Sequence, residues 1–205
     1  MLIVGAGGFA KQLLPLIDRL DLSKQVVFFD DYSNDTSSLI SRNFQVIRSE
    51  EELKQYFAHG DLRFVNAVGG PVNRLKIHQK MQGLGAEPFS LIDPDSSISQ
   101  YEVEIGTGCC ILQQVVIEPG VSIGKGCLIN LNSLLTHDVS IGDFSEISPS
   151  VTILGGAKIG HSTFVGAGAI ILPKIEIGDN CVVGAGAVVN RSVPSGHRVV
   201  GVPAR

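Results

Sequence analysis

The sequence predicts two architectures in series: a small Rossmann-like parallel α/β sheet over residues 1–92 and a parallel β-helix of hexapeptide repeats over 93–205. Three observations predict them. Short β-branched runs alternate with amphipathic stretches as far as Ile92. An aliphatic residue then recurs at every sixth position from Ile105 to Val189. The chain also holds 24 Gly, no Trp and 6% aromatic residues, which suits a core of small and β-branched side chains. With 205 residues and 44% hydrophobic content there is ample apolar surface for such cores.

In the first half, "LIV" (2–4), "VVFF" (26–29), "FVNAV" (64–68) and "FSLI" (89–92) read as strands. Phe9–Leu20, Glu50–Phe57 and Asn73–Gly83 read as helices. Ser49 followed by Glu52 makes a capping box, and Gly83 makes a stop. This alternation predicts a parallel sheet flanked by helices. "GAGGFA" (5–10) reads G-x-G-x-x-A between a strand and a helix, where a helix N-terminus with free N–H groups receives phosphate. Asp30 and Asp31 end the next strand, where an acidic pair hydrogen-bonds a ribose or a base. The first half leaves no substrate domain for hydride chemistry, so the expectation is nucleotide binding without NAD.

In the second half the aliphatic series runs Ile105, Ile111, Ile117, Ile123, Ile129, Leu135, Ile141, Ile147, Ile153, Ile159, Val165, Ile171, Ile177, Val183, Val189. Four places after each stands a small or β-branched residue, from Cys109 to Val193. Gly follows the aliphatic at 106, 124, 142, 160, 166, 178 and 184, as tight corners would require. A period of six marks a β-helix in which each repeat is a short strand and a turn. A β-sandwich does not produce strict sixes. Ile92 and Ile98 keep the spacing with one residue inserted before Ile105, so the β-helix is expected to begin near Pro94.

Charge and cysteine content narrow the class. A net charge of −4 without any Lys/Arg run argues against nucleic acid or an anionic membrane as the main partner. The chain opens on a strand with no charged leader, and it has no apolar run long enough to span a bilayer, so it reads as cytoplasmic. Cys109, Cys110, Cys127 and Cys181 lack the CxxC spacing of a metal site and are expected as buried free thiols.

Taken in order, "GAGGFAKQ" (5–12), "FFDD" (28–31), "AVGGPVNRLKI" (67–77), "INLNSLLTHDVSIGDFSEISP" (129–149) and "VVGVPAR" (199–205) resemble one family across nearly the whole chain. It is the bacterial sialic-acid O-acetyltransferase-like and nucleotide-amino-sugar N-acetyltransferase family, within the hexapeptide-repeat acyltransferases. The resemblance implies a left-handed β-helix of triangular section, three repeats per coil, with five coils from Ile105 to Pro194. It implies a homotrimer with active sites at subunit interfaces, acetyl-CoA as cosubstrate and no metal. It further implies acetylation of the 4-amino group of a nucleotide-linked 4-amino-4,6-dideoxy sugar for surface glycan synthesis. O-acetylation of sialic acid or a related sugar keeps the same fold and donor. A sugar-nucleotide-binding scaffold without catalysis is the alternative of another class.

His137 lies two places after Leu135, where a side chain leaves the prism. Acetyl transfer to an amine needs a base, and an imidazole with a pKa near ~6.5 suits that task. Asp138 beside it can fix the ring's tautomer. Residues one coil apart stack at roughly 4.8 Å, which puts Gly155 over His137 with an N–H suited to an oxyanion. The resemblance assigns His137 as base, Asp138 as its support, Gly155 as oxyanion donor and Asn130 to the cleft. Glu146 stands where a relative uses a second His to touch the acetyl donor. Ala167 and Ala185 would meet the pantetheine arm, and Lys174, Arg198 and Arg205 the phosphates or adenine. Gly7, Gly8, Asp30, Asp31, Tyr32, Gly69 and Arg74 would hold the nucleotide, and Phe9 replaces a His found in many relatives. His59, His161 and His197 have no comparable context.

Overall fold

A computed structural model describes residues 1–32, 39 and 42–205. It divides into two compact units, Met1–Gly69 with Lys76–Phe89, and Gly70–Leu75 with Ser90–Arg205.

The first unit is a parallel sheet of β1 (Leu2–Val4), β2 (Val27–Phe29), β3 (Gln45–Ile47), β4 (Arg63–Asn66) and β5 (Glu87–Pro88), in the order β3-β2-β1-β4-β5. That order reverses at β1, as in doubly wound nucleotide-binding sheets. Helices α1 (Gly8–Arg19), α2 (Glu50–His59) and α3 (Pro71–Gly83) connect the strands. Leu2, Val4, Phe29, Ile47, Leu53, Phe64 and Met81 form its core. In α1 the buried Ala10, Leu13, Leu14 and Ile17 recur at spacings of three and four, which gives the helix one apolar face.

Three sequence expectations change here. β3 was absent from them, because a three-residue parallel strand is too short to carry a period. The Ser49 hydroxyl accepts the Glu52 N–H at 3.2 Å, but the Glu52 carboxylate accepts from Arg48 N at 3.1 Å rather than from Ser49. Finally, "FSLI" is not one strand of this sheet. Glu87–Pro88 pair with Arg63 and Phe64, whereas Leu91–Ile92 pair with Cys110–Ile111 in the second unit. Within a strand both architectures alternate with period two, so the run itself shows no boundary, although Ile92 already stands at the sixfold spacing of the second half.

The second unit is a left-handed parallel β-helix of three sheets with six, five and seven strands. Each strand pairs with the one a coil later, as Leu134 with Thr152 and Leu135 with Ile153. The first coil opens at Leu91–Ile92, slightly ahead of Pro94. The every-sixth aliphatics from Ile111 to Val189 are buried, and Ile105 is partly buried at the open end. One interior column is polarised: Cys109, Cys127, Ser145 and Thr163 donate to the carbonyls of Gly124, Gly142, Gly160 and Gly178 at 3.1, 3.2, 2.7 and 2.8 Å. Those corner carbonyls would otherwise be buried without partners. The four cysteines are free and buried.

The glycines that follow the aliphatics have a different cause from the one expected. None of them has a positive φ, and the left-handed conformation falls two places later, as at Phe144 (φ 58) and Ser162 (φ 51). Their need is for space. A Cβ on Gly142 would come 2.6 Å from the backbone nitrogen of His161 in the next coil. Among the described residues no helix is long and apolar enough to cross a membrane.

Candidate functional site

Each coil turns three corners, and at each the backbone ladder leaves one group over. The second corner residue donates to the first corner residue a coil earlier, as Phe144 N to Lys125 O at 2.8 Å and Gly156 N to His137 O at 3.0 Å. The first residue's own N–H is not used by that ladder. At the corner of Lys125, Asp143, His161 and Asp179 the coil above supplies the missing acceptor. Lys125 N donates to Asp143 Oδ1 at 3.0 Å and Asp143 N to His161 Nδ1 at 2.9 Å. His161 N donates to Asp179 Oδ1 at 2.7 Å and Asp179 N to Ser195 Oγ at 3.0 Å. This corner is closed.

The corner of Pro119, His137, Gly155 and Pro173 is built differently. His137 Nδ1 lies 2.8 Å from Asp138 Oδ2, and both side chains are well exposed. Facing a carboxylate, Nδ1 of the neutral ring carries the proton, so Nε2 has the lone pair. The ring lies over the α-carbon of Gly155, where a Cβ would stand 2.5 Å from both Cε1 and Nε2. Gly155 has no positive φ, so glycine serves there as space. Its carbonyl accepts Lys174 N at 3.0 Å, while its N–H makes no hydrogen bond among the described residues. The Lys174 side chain runs past Gly156, 3.6 Å from where a Cβ would be. An imidazole with a free Nε2 beside an uncommitted N–H is the arrangement that general-base acyl transfer requires.

Sequence reasoning missed Glu118, whose Oε2 accepts the His137 N–H at 3.0 Å. It supplies from the coil below what Gly155 cannot supply from above. The signal was available as an acidic residue one coil before Thr136.

The other expected site residues spread over the second unit. Ala167 and Ala185 are exposed at a third corner, joined by Gly186 N to Ala167 O at 2.8 Å. Asn130 begins that same third corner in a lower coil, is 8% exposed, and accepts Leu131 N at 2.9 Å. Arg198 and Arg205 are exposed in the terminal segment, where Arg205 N donates to Val200 O at 3.1 Å. Glu146 accepts the Gly70 N–H at 2.7 Å, so one of its oxygens is engaged by the chain itself. Arg74, expected at a nucleotide, is fully buried and donates through Nε and Nη2 to Gly126 O at 3.1 and 2.9 Å. Burial pushes the neighbouring Cys110 thiol up, against the pull of that guanidinium.

In the first unit, Gly7 precedes α1 without any side-chain cap, and neither Gly7 nor Gly8 has a neighbour within 4 Å of a Cβ position. Asp30 is buried and ties this turn to the end of β2, accepting Ala6 N at 2.7 Å and Tyr32 N at 3.0 Å. Asp31 pairs with Lys80 Nζ at 2.8 Å, Tyr32 is 92% exposed, and Phe9 is half-buried. Gly69 follows β4 across the strand-order reversal and is likewise open around its α-carbon. Among the described residues no cluster of His, Cys, Asp or Glu is gathered to hold a metal ion.

Comparison with known proteins gives two families and several structures. Residues 1–81 match the PglD N-terminal domain, and residues 156–191 match the bacterial transferase hexapeptide of six repeats. The acetyltransferase domain of PglB from Neisseria gonorrhoeae is 28% identical, with a TM-score of 0.87 over 100% of this chain and 97% of that one. PerB from Caulobacter crescentus, solved with CoA and GDP-perosamine, is 27% identical, with a TM-score of 0.90 over 100% and 95%. Variants of the Caulobacter perosamine N-acetyltransferase with one histidine changed to alanine or asparagine have been solved with the same ligands. WeeI from Acinetobacter baumannii is 26% identical, with a TM-score of 0.66 over 100% and 97%. No curated protein sequence matches.

Proposed function

We propose that this chain moves the acetyl group of acetyl-CoA to the 4-amino group of a nucleotide-linked 4-amino-4,6-dideoxy sugar, for surface glycan synthesis in the cytoplasm, with His137 as general base. It is an acetyltransferase, like the PglB domain solved with acetyl-CoA and the Caulobacter N-acetyltransferase that it matches along its length. The observation that carries the residue assignment is the open corner: a His137–Asp138 pair beside the uncommitted Gly155 N–H, on a β-helix whose neighbouring corner is capped coil by coil. As the amine attacks the thioester carbonyl, its proton passes to His137 Nε2 and the C–N bond forms. The Gly155 N–H holds the carbonyl oxygen while it carries negative charge. The C–S bond then breaks, and the CoA thiolate takes the proton back from the imidazolium.

Residues 1–92 serve the nucleotide, with Gly7, Gly8 and Gly69 open toward the ligand, and residues 93–205 serve the transfer. Phe9, Asp31 and Tyr32 border the nucleotide, while Asp30 holds the turn behind it. Ala167 and Ala185 line the donor's path, with Lys174, Arg198 and Arg205 for its anionic end. Those alanines and His137 stand at different corners of the β-helix, so a donor that touches both sets must run between two copies of the chain. The outer face leading to the His137 corner is an apolar stripe, Val116, Leu134, Thr152, Ile170 and Val188, with Val116 and Ile170 each 37% exposed. It fits a homotrimer interface, and Asn130 would reach the cleft from the neighbouring copy.

The test is turnover of acetyl-CoA with GDP-, UDP- and dTDP-linked 4-amino sugars, read as released CoA thiol and as product mass. An acetamide on one nucleotide sugar is expected. An ester on a hydroxyl, or acetylation of free sialic acid alone, would replace the acceptor class, and binding without turnover would point to a scaffold.

A further inference from the structure

We infer that Pro119 and Pro173, the residues directly below His137 and directly above Gly155 in the same corner column, are positioning residues that keep the proposed base and oxyanion donor free. The inference rests on reading His137 as the base. Its ground is the capping rule of the closed corner. There, the first-position N–H groups of Lys125, Asp143, His161 and Asp179 are captured by side chains one coil above, and His161 is itself such a captor, taking Asp143 N on Nδ1 at 2.9 Å. His137 stands over residue 119 as His161 stands over Asp143. With an N–H at 119, its Nδ1 would be drawn down in the same way and its proton moved to Nε2. Proline has no N–H, so Nδ1 is left to Asp138 at 2.8 Å.

The same rule applied one coil higher concerns Gly155. Its N–H would be captured by any acceptor at 173, as Ser195 captures Asp179 N at 3.0 Å. Proline offers no side-chain acceptor, and the Gly155 N–H stays open. Two prolines, one for the N–H and one for the acceptor that it lacks, therefore turn a capped corner into an open one. His137 and His161 should accordingly be opposite tautomers, Nδ1–H and Nε2–H.

The experiment is long-range imidazole ¹⁵N NMR on the whole wild-type chain and on Pro119→Ala, with steady-state kinetics. In the wild type, His137 is expected as the Nδ1–H tautomer and His161 as Nε2–H. In Pro119→Ala, His137 is expected to switch to Nε2–H, with kcat falling at least about tenfold and KM for both substrates little changed, since a wrongly held tautomer disables a base without removing a binding contact. Pro173→Ser should lower kcat well below Pro173→Ala, because only serine brings an acceptor. The same tautomer for both histidines in the wild type overturns the inference even if Pro119→Ala does not fold. So does an unchanged tautomer in Pro119→Ala, or equal kcat for the two Pro173 variants. If His137→Ala keeps full activity the reading of the base fails instead, and the tautomer results still stand.

Discussion

His137 and His161 differ in almost nothing that a residue-by-residue view records. Each lies two places beyond an inward aliphatic, Leu135 or Ile159, and their side chains are 65% and 62% exposed. Each has an aspartate within reach. What decides which nitrogen each ring uses is the residue on the coil beneath, Asp143 under His161 and Pro119 under His137. The first offers an N–H and turns its histidine into a cap; the second offers none and leaves its histidine to Asp138. In a solenoid, a surface side chain's role is set by the neighbour one coil away, because that neighbour decides which ring nitrogen is already in use.

The sharpest way to break this comparison is to truncate the two rings in turn. His137→Ala is expected to lower kcat by about 10²–10⁴-fold, the usual worth of a general base, with CoA binding and the melting temperature little altered. Its ring caps no backbone group, and the Asp138 carboxylate that loses its partner is exposed to water. Near-normal turnover by this variant would end the assignment.

Gly155→Ala tests the same corner from the other side. The new Cβ would overlap the imidazole at 2.5 Å, and because that ring is exposed and can swing, the cost falls on geometry rather than on folding. A kcat loss of about 10–100-fold at nearly constant stability is expected, since displacement by about 1 Å carries penalties of that order. The companion Gly142→Ala sets Cβ 2.6 Å from the His161 backbone nitrogen, which cannot swing, so melting temperature should fall and kcat hold. Equal behaviour of the two variants would erase the distinction between the corners.

How much of this was legible in the sequence follows the same division. The second half was readable because the period of six names an inward residue and the coil length names its neighbour, so Gly155 over His137 followed from arithmetic. The identity of Pro119 was equally visible, but its meaning was not. It required the corner rule, which appears only when hydrogen bonds are traced from Lys125 through Ser195. The polarised column reads as small packing residues in the sequence for the same reason: a thiol or hydroxyl is merely small until the carbonyls of Gly124 to Gly178 are seen to need donors. In the first half the parallel sheet and its flanking helices were legible, but the strand order, β3 and the split at Glu87–Ile92 were not. Three-residue parallel strands lack a period, and the apolar run crosses from one architecture into the other without a break. Arg74 could not have been placed from sequence, since a buried guanidinium and a ligand-facing one are the same letter.

The smallest expected effect closes the comparison. His161→Ala removes the acceptor of Asp143 N, but that corner is exposed and water can take the bond. The net cost is therefore at the low end for a hydrogen bond, about 0.5–1 kcal/mol. For a chain of this size that corresponds to roughly 1–4 °C in melting temperature. Turnover should stay within about twofold of wild type, because no step of the transfer uses this ring. A melting curve and a kcat measured on one preparation decide the matter. A tenfold loss of kcat with no thermal shift would make His161 the working histidine and His137 the ornament, and the corner rule would then have been read from the wrong corner.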